Sequence, residues 1–309
     1  MTPKTFIEAV RAPFFTGVIV PVILGSVLAW HSGVPFHWGY FFLTLLGILC
    51  IHAGANTIND YFDHLSRNDE VNLEYVRPFS GGSRLIQNET ITPKGMLALS
   101  ITMYGIGIII GLILVITRGL PILWIGMIGV AIGFFYVMPG INLASKGVGE
   151  FGILISFGLL CVVGSYYVQT QSFYIPGGGF AWEPFILSLP VGLLITAVLW
   201  INEFPDFNAD KQVGKTHLVV KLGKRNAARI YFGIMMATYL LIAVSALVFG
   251  NLWLLLGFLM LPMALKISLN AIANYDNSQA LIPSNAGTIM THMITGLLLS
   301  GGYVIDKLV

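Results

Sequence analysis

Nine stretches of this chain, near 13–31, 38–58, 95–117, 119–138, 149–170, 184–203, 228–249, 251–273 and 285–305, are predominantly apolar. Each runs about 20 residues, the length a helix needs to cross a bilayer. Lipid offers no partner to a backbone N–H or C=O, so only helices and closed barrels can span it. The runs are continuous and lack the ten-residue alternation of barrel strands. The expectation is an all-α integral membrane protein of nine transmembrane helices. Composition agrees: 56% of the residues are hydrophobic and 10% charged, against about 25% charged in an average soluble domain. So few charges could not cover a soluble surface of 309 residues, and disorder needs the opposite balance. A net charge of +2 leaves no footprint for nucleic acid.

Lys4 and Arg11 precede the first stretch as they would in a signal peptide. That stretch is long and no small-x-small cleavage site follows it, so it is expected to stay as a helix. Residues 1–309 then read as a single transmembrane domain of a multi-pass protein of the cell membrane. The charges are unevenly placed: ten lie in 60–94 and nine in 203–229. With the N-terminus in the cytoplasm, every Lys and Arg except Arg118 and Lys307 falls on the cytoplasmic side. The positive-inside rule therefore predicts that orientation, with both long polar connections facing the cytoplasm.

Those connections carry the chemistry. Asn56-Thr57-Ile58-Asn59-Asp60-Tyr61-Phe62-Asp63-His64 ends the second apolar run, and Asn202-Glu203-Phe204-Pro205-Asp206-Phe207-Asn208-Ala209-Asp210 ends the sixth. Each places Asn and Asp four residues apart, which suggests a weak internal repeat. On a helix, Asn56, Asp60 and Asp63 fall within about 60° of arc, and Asn202, Asp206 and Asp210 within about 80°. Carboxylates beside a bilayer are costly unless they face a polar cavity or a partner. Two facing acidic stripes repel unless a cation lies between them. Oxygen donors without a His/Cys set point to a hard ion, and Mg²⁺ favours one or two carboxylates together with phosphate oxygens. Arg77, Arg84, Lys211 and Lys215 follow the two stripes, and Arg11 and Lys146 lie at other cytoplasmic helix ends. Acids, Mg²⁺ and a rim of bases are what a diphosphate requires.

The two motifs resemble the paired aspartate motifs of the UbiA superfamily of intramembrane prenyltransferases, and the similarity covers nearly the whole chain. Arg11-Ala12-Pro13 resembles the family's basic opening of the first helix, and Asn59-Asp60-Tyr61-Phe62-Asp63 its first motif. Arg77-Pro78 and Gly81-Gly82-Ser83-Arg84 resemble the loop that follows. Tyr136 to Pro139 and Lys146 to Glu150 resemble the segment between helices four and five. Asn202 to Asp210 with Gly214-Lys215 resembles the second motif. The resemblance implies a nine-helix bundle around a central cavity with the Asp motifs at its cytoplasmic mouth. It implies Mg²⁺-dependent transfer of a prenyl group from a polyprenyl diphosphate to an acceptor. Asp60, Asp63, Asp206 and Asp210 would be the metal ligands, with Asn56 and Asn202 in the catalytic motifs beside them. Arg11, Asn59, Arg77, Arg84, Tyr136, Lys146 and Lys215 would bind substrate. Tyr136, Tyr61 and Phe62 are candidates for aromatic faces that shelter an allylic cation. The family often has a third acid four residues beyond the middle Asp of motif one. His64 stands there instead, and Asp63 is expected to take its place.

The second motif and the Gly-Gly-Ser-Arg loop are more similar to the MenA-like, 1,4-dihydroxy-2-naphthoate branch of menaquinone synthesis. Homogentisate, 4-hydroxybenzoate, a tetrapyrrole or a glycerol-phosphate lipid stay open as acceptors, as do prenyl length and oligomeric state. No obligatory protein partner is evident. A cation-coupled transporter is the competing class; it would place its acids near the midplane on broken helices, and Pro205 offers one such break. Cys50, Cys161 and the eleven methionines are expected to pack, and His52 to make a helix contact, with a ligand role as its alternative. Gly105, Gly107 and Gly111, and Gly126, Gly129 and Gly133, are expected to let helices approach closely. Gly147, Gly149 and Gly152 make a dinucleotide-like spacing without the strand–turn–helix it needs. The Asn88-Glu89-Thr90 sequon lies on the cytoplasmic side. Gly177-Gly178-Gly179 reads as a flexible external loop, and His217 as a loop residue, with contact to the acceptor as its alternative.

Overall fold

The computed structural model describes residues 1–309 and is all-helical apart from one isolated bridge, Tyr174 to Phe180. The apolar runs become helices α1 (Ala12–His31), α2 (Trp38–Leu65), α3 (Pro93–Arg118), α4 (Pro121–Phe135), α5 (Gly149–Thr170), α6 (Glu183–Gln212), α7 (Lys224–Val248), α8 (Leu252–Ala273) and α9 (Ile282–Leu308). Eight of them are long and apolar enough to cross a membrane. The exception is α4, where the sequence predicted a span over 119–138. Its 15 residues rise about 22 Å against a hydrocarbon core of about 30 Å. Pro121 opens it directly after Arg118 closes α3, and it stops before Pro139.

Two helices outrun their apolar segments. α2 continues from the expected 58 to Leu65 and α6 from 203 to Gln212, so both motifs sit on helical turns. Pro205 does not break α6. A proline has no N–H to donate, which frees the carbonyl four residues earlier. Here that carbonyl is Ile201 O, and Asn285 Nδ2 on α9 donates to it at 3.1 Å. The same amide donates to Asn202 Oδ1 at 2.8 Å. The broken-helix feature of a transporter is therefore absent from α6.

The main core lies where α1, α5, α6, α7, α8 and α9 meet, around Leu24, Tyr166, Trp200, Phe204, Tyr231 and Tyr303. Within it, Trp200 Nε1 donates to Ala227 O at 3.0 Å and Tyr231 shares a 2.5 Å bond with Thr288. The outer faces carry Ile101, Ile109, Ile116, Leu240 and Leu247, as a multi-pass membrane protein requires. Arg118 and Lys307 are both at the end away from the motifs, bonded to Val168 and Gln169 carbonyls and to the Trp30 carbonyl respectively. Cys50 and Cys161 are free and buried, as expected.

The glycine sets divide. A Cβ on Gly107 would lie 2.6 Å from Ile51, so this residue does set the α2–α3 approach. Gly105, Gly111 and Gly126 have nothing within 4 Å of that position. Gly111, Gly126, Gly129 and Gly133 instead line an internal cavity. For Gly105, Gly111 and Gly126 the expected close helix contact is corrected, whereas a Cβ on Gly129 or Gly133 would meet Leu160 at 3.8 Å or Tyr104 Oη at 3.5 Å.

Asn285→Leu should leave the Ile201 carbonyl unpaired inside the bundle, at a cost of about 1–3 kcal/mol. A lower thermal midpoint of the detergent-purified protein is the expected outcome, while Asn285→Gln should recover part of the loss.

Candidate active site

The acid-bearing ends of α2 and α6 face one cavity of about 800 Å³. Asp63 from α2 and Asp206 and Asp210 from α6 line it, together with Asn56, Asn59, Asn202, Arg11, Tyr136 and Lys215. The stripes are joined reciprocally. The chain after motif one reaches motif two: Asn68 Nδ2 donates to Asp210 at 3.0 Å, Asn72 Nδ2 to Asp206 at 2.6 Å, and Gly81 N to Asp206 at 3.4 Å. The chain after motif two reaches motif one, where Lys215 Nζ donates to Asp63 at 2.5 Å and stands 3.8 Å from Asp210. Both carboxylates hold the Lys215 ammonium above its ordinary range, although burial opposes the charge.

Asp60 is placed differently from the expectation. It is 2% exposed and sits behind the cavity wall. Arg11 and the Ser83 N–H, at 3.2 Å, hold its carboxylate. Arg11 also donates to Asn59 Oδ1 at 3.1 Å and itself faces the cavity. Asn56 Nδ2 donates to the Val10 carbonyl at 2.9 Å, tying α2 to the segment before α1. Tyr136 lines the cavity; Tyr61 packs beside Ala9 and Leu85, and Phe62 faces a smaller neighbouring cavity.

Three of the expected bases do not reach the main cavity. Arg84 is buried, donates to the main-chain oxygens of Asp69 and Asn72, and lies 3.9 Å over the Tyr75 ring. It braces the loop and does not line the cavity. Arg77 is exposed. Lys146 donates to the Gly140 carbonyl at 3.1 Å and lines the neighbouring cavity of about 270 Å³, which shares Asn59, Asp63 and Lys215 with the first.

One residue, Asp69, enters the site unannounced, and a second, His217, reaches it from the loop where it was expected. The short helix Asn68–Val71 brings Asp69 into the cavity. Burial, and then the charges of Asp63 and Asp60, push its carboxyl up to about 8. Gln87 Nε2 donates to it at 3.1 Å. Asp69 thus adds a further carboxylate to the cavity beside Asp63, Asp206 and Asp210. Its signal in the chain was the Asn68-Asp69 pair, which repeats Asn59-Asp60 nine residues on. Gly82 makes the crowding feasible. At φ +70°, a Cβ there would lie 3.1 Å from Asp69 Oδ2 and 3.2 Å from Asp60 Oδ1. His217, expected in a loop, is buried with Nε2 3.1 Å from Asp210 and Nδ1 3.3 Å from Glu203. Burial disfavours its charged form, yet the Glu203 charge and the bonds to Asp210 and Glu203 push it up to about 10. Glu150 completes this corner by accepting the Leu218 N–H at 2.6 Å.

Around the mouth, Asp63, Asp69, Asp206, Asp210 and Glu203, with Asp60 behind the wall, are set against Arg11, Lys215 and His217, with Arg84 near Asp69. The surplus is negative, all-oxygen and enclosed, which suits hard cations. Behind it the cavity wall is aliphatic and aromatic: Ile48, Ile51, Phe157, Leu160 and Ile195. A charged head group fits the mouth and a hydrocarbon fits the body.

The description "UbiA prenyltransferase family" belongs to the family model that matches residues 18–283. The chain is 26% identical over 305 residues to the 2-carboxy-1,4-naphthoquinone phytyltransferase of Synechocystis sp., covering 98% of this chain and 94% of the relative. It is 25% identical over 301 residues to the 1,4-dihydroxy-2-naphthoate octaprenyltransferase of Bacillus subtilis, covering 97% and 92%. Among solved structures, a UbiA homolog from Archaeoglobus fulgidus bound to GPP and Mg²⁺ superposes with a TM-score of 0.61 at 13% identity, covering 98% of this chain and 99% of the other.

The Asp69 shift has a sign. Its folded value near 8 lies above an ordinary value of 3.8. The stability it contributes is complete below about pH 4 and is lost as pH rises toward 8. In EDTA, the thermal midpoint should fall across that window, and Asp69→Asn should flatten the fall.

Proposed function

The chain belongs to the UbiA prenyltransferase family, and on that premise we propose that it transfers a polyprenyl group from its diphosphate to 1,4-dihydroxy-2-naphthoate, in a magnesium-dependent reaction. The naphthoate substrates in the names of the relatives support the acceptor. Phytyl and octaprenyl enzymes stand side by side among them, so prenyl length stays open.

The observation that carries the reading is the meeting of two distant acid clusters across one cavity. Asp63, Asp69, Asp206 and Asp210 are the residues that would hold magnesium. They fit it in donor type, and the upward shift at Asp69 marks an acid whose ionised form lacks sufficient positive charge around it. Bound magnesium would offset the charge that develops on the diphosphate as it leaves. Arg11 and Lys215 add charge-assisted donors at the mouth, and Asp60 with Asn59 keeps the Arg11 fork aimed there. Arg84 holds the loop that supplies Asn68, Asp69 and Asn72. Lys146 and Arg77 form an outer basic rim. Once the allylic carbon–oxygen bond opens, the apolar body excludes water from the cation and the Tyr136 face lies on the cavity wall. An electron-rich aromatic carbon then attacks C1, diphosphate having left with the bonding pair, and the ring regains aromaticity by losing a proton or its carboxyl group as CO₂.

Residues 1–309 act here as one transmembrane unit in the cell membrane. The mouth faces the cytoplasm, because the basic residues concentrate at the motif end and only Arg118 and Lys307 stand opposite.

Replacing Asp63 or Asp206 by Ala should lower prenyl transfer by at least about 100-fold, beyond the usual effect of a residue that only supports a metal ligand. The assay pairs purified protein and a long-chain prenyl diphosphate with 1,4-dihydroxy-2-naphthoate, 4-hydroxybenzoate and homogentisate, with Mg²⁺ or EDTA, read by mass spectrometry. Transfer that survives EDTA would overturn the metal assignment; transfer to another acceptor alone would overturn the naphthoate.

A further inference from the structure

Beyond the mouth, the apolar body of the cavity holds two polar atoms that nothing satisfies. His52 is 9% exposed and lines the cavity, and its Nδ1 is enclosed without a hydrogen-bond partner. Ser156 also lines the cavity, and its Oγ is likewise enclosed and unpartnered. Thr44, farther along the same wall, is not comparable, because its hydroxyl donates to the Tyr40 carbonyl at 2.7 Å.

The surroundings of the two atoms are specific. The His52 ring sits between Phe15, at 5.5 Å between centroids, and Phe157, edge-on at 4.9 Å. Phe157 and Ser156 share a widened π-helical stretch of α5, Leu154–Leu160. Such stretches interrupt the regular ladder and recur at functional sites. Gly158, within it, is pressed onto α6: a Cβ there would lie 2.7 Å from Gly192 Cα. That contact fixes the turn that presents Ser156 and Phe157 to the cavity. His52 lies one helical turn, about 6 Å, beyond Asn56 and about 16 Å beyond Asp63 along α2.

The cavity has a different character on the α3–α4 side. There Gly111, Gly126, Ile108, Leu112 and Met127 offer no hydrogen-bond donor, Phe134 and Phe135 add rings at the end of α4, and the unpartnered Tyr104 hydroxyl beside Gly133 does not line the cavity. An isoprenoid chain has no polar atom, and laid against His52 and Ser156 it would leave both unpaired. An enclosed, unpaired polar group carries a desolvation cost, which a turn of the Ser156 hydroxyl or of the His52 ring toward a ligand oxygen in the cavity would relieve.

We propose that His52 and Ser156 form the acceptor subsite, where they hydrogen-bond the ring oxygens of a hydroxylated aromatic acid while Phe157 packs against its rings and Phe15 backs the imidazole. An imidazole offers a donor or an acceptor to a ligand oxygen according to its tautomer, and a serine hydroxyl offers both. The prenyl chain occupies the α3–α4 side, and the two substrates converge beneath the mouth. This inference rests on the prenyl-transfer reading above and adds which wall takes which substrate.

The test is steady-state kinetics of His52→Phe, which keeps a ring but removes both nitrogens, with His52→Gln and Ser156→Ala. The acceptor is 1,4-dihydroxy-2-naphthoate, or whichever aromatic the wild type accepts. In His52→Phe the acceptor KM should rise by about tenfold, the loss of one buried hydrogen bond, while the KM for the prenyl diphosphate stays within about twofold. His52→Gln should recover part of the loss, and Ser156→Ala should raise the acceptor KM alone. A thermal shift induced by acceptor in the absence of prenyl diphosphate should shrink in the same order. Unchanged acceptor KM in both His52→Gln and Ser156→Ala, or a change confined to the prenyl diphosphate KM or to prenyl-length preference, would overturn the assignment. If His52→Phe fails to fold, the other two variants decide it. If the wild type transfers prenyl to no aromatic acceptor at all, the functional reading fails, and the inference falls with it.

Discussion

Six carboxylates crowded at one end of a membrane bundle repel one another, and the architecture is organised around containing that repulsion. In a low-dielectric site a carboxylate survives as an anion only with donors or cations at hand. Each motif borrows them from the chain that follows the other. Asn68 and Asn72, downstream of motif one, donate to Asp210 and Asp206, and Lys215, downstream of motif two, donates to Asp63. Arg11, from ahead of α1, closes the set on Asp60. Segments far apart in sequence are thereby held around one mouth. What they leave uncompensated, at Asp69 above all, is the capacity to take a cation.

This containment requires stiff supports, and the bundle provides them at some cost. Both acid stripes ride on helices that run past the apolar segment by two turns or so. In α6 that run passes through Pro205, whose missing N–H would leave Ile201 O bare. Asn285 fills the gap and in the same gesture holds Asn202. A proline that looked like a hinge in the sequence is instead a point where α9 is pinned to α6. The site is therefore built on continuous helices, with only the loop 66–92 and the Lys215–His217 segment laid across them.

That division also explains what could be read from the chain. The stripes Asn56/Asp63 and Asn202/Asp206/Asp210 were legible because the helical period alone decides which residues share a face, and the structure turns them to one cavity. Asp60 shares the arc of Asp63, yet its environment was not legible, because Arg11 and Ser83 come from elsewhere in the chain. Asp69 and the partners of His217 were hidden for the same reason. Each residue lies in a segment whose path depends on tertiary contacts, Arg84 bracing one and Glu203 with Asp210 capturing the other. Arg84 itself shows that a base following an acidic motif can as readily hold a loop as a phosphate. The apolar runs fixed eight spans well, but apolarity along 119–138 could not reveal that Pro121 and the turn after Phe135 cut α4 short.

The glycines make a related point about function. Small residues at helical spacing mean close approach only when a neighbour comes to fill the space. Ile51 fills it at Gly107; nothing does at Gly111 or Gly126. On α3 and α4 the missing side chains therefore become volume, on the side of the cavity whose outer wall is the short α4. The opposite side is built from rings and from the two unpaired atoms of His52 and Ser156. A single cavity thus presents an acidic mouth, a largely aliphatic flank and an aromatic flank with hydrogen-bonding capacity. A reaction that joins a charged head group, a hydrocarbon chain and a polar aromatic ring needs those three surfaces within reach of one carbon atom. Their separation around one axis lets both substrates bind without competing for the same wall.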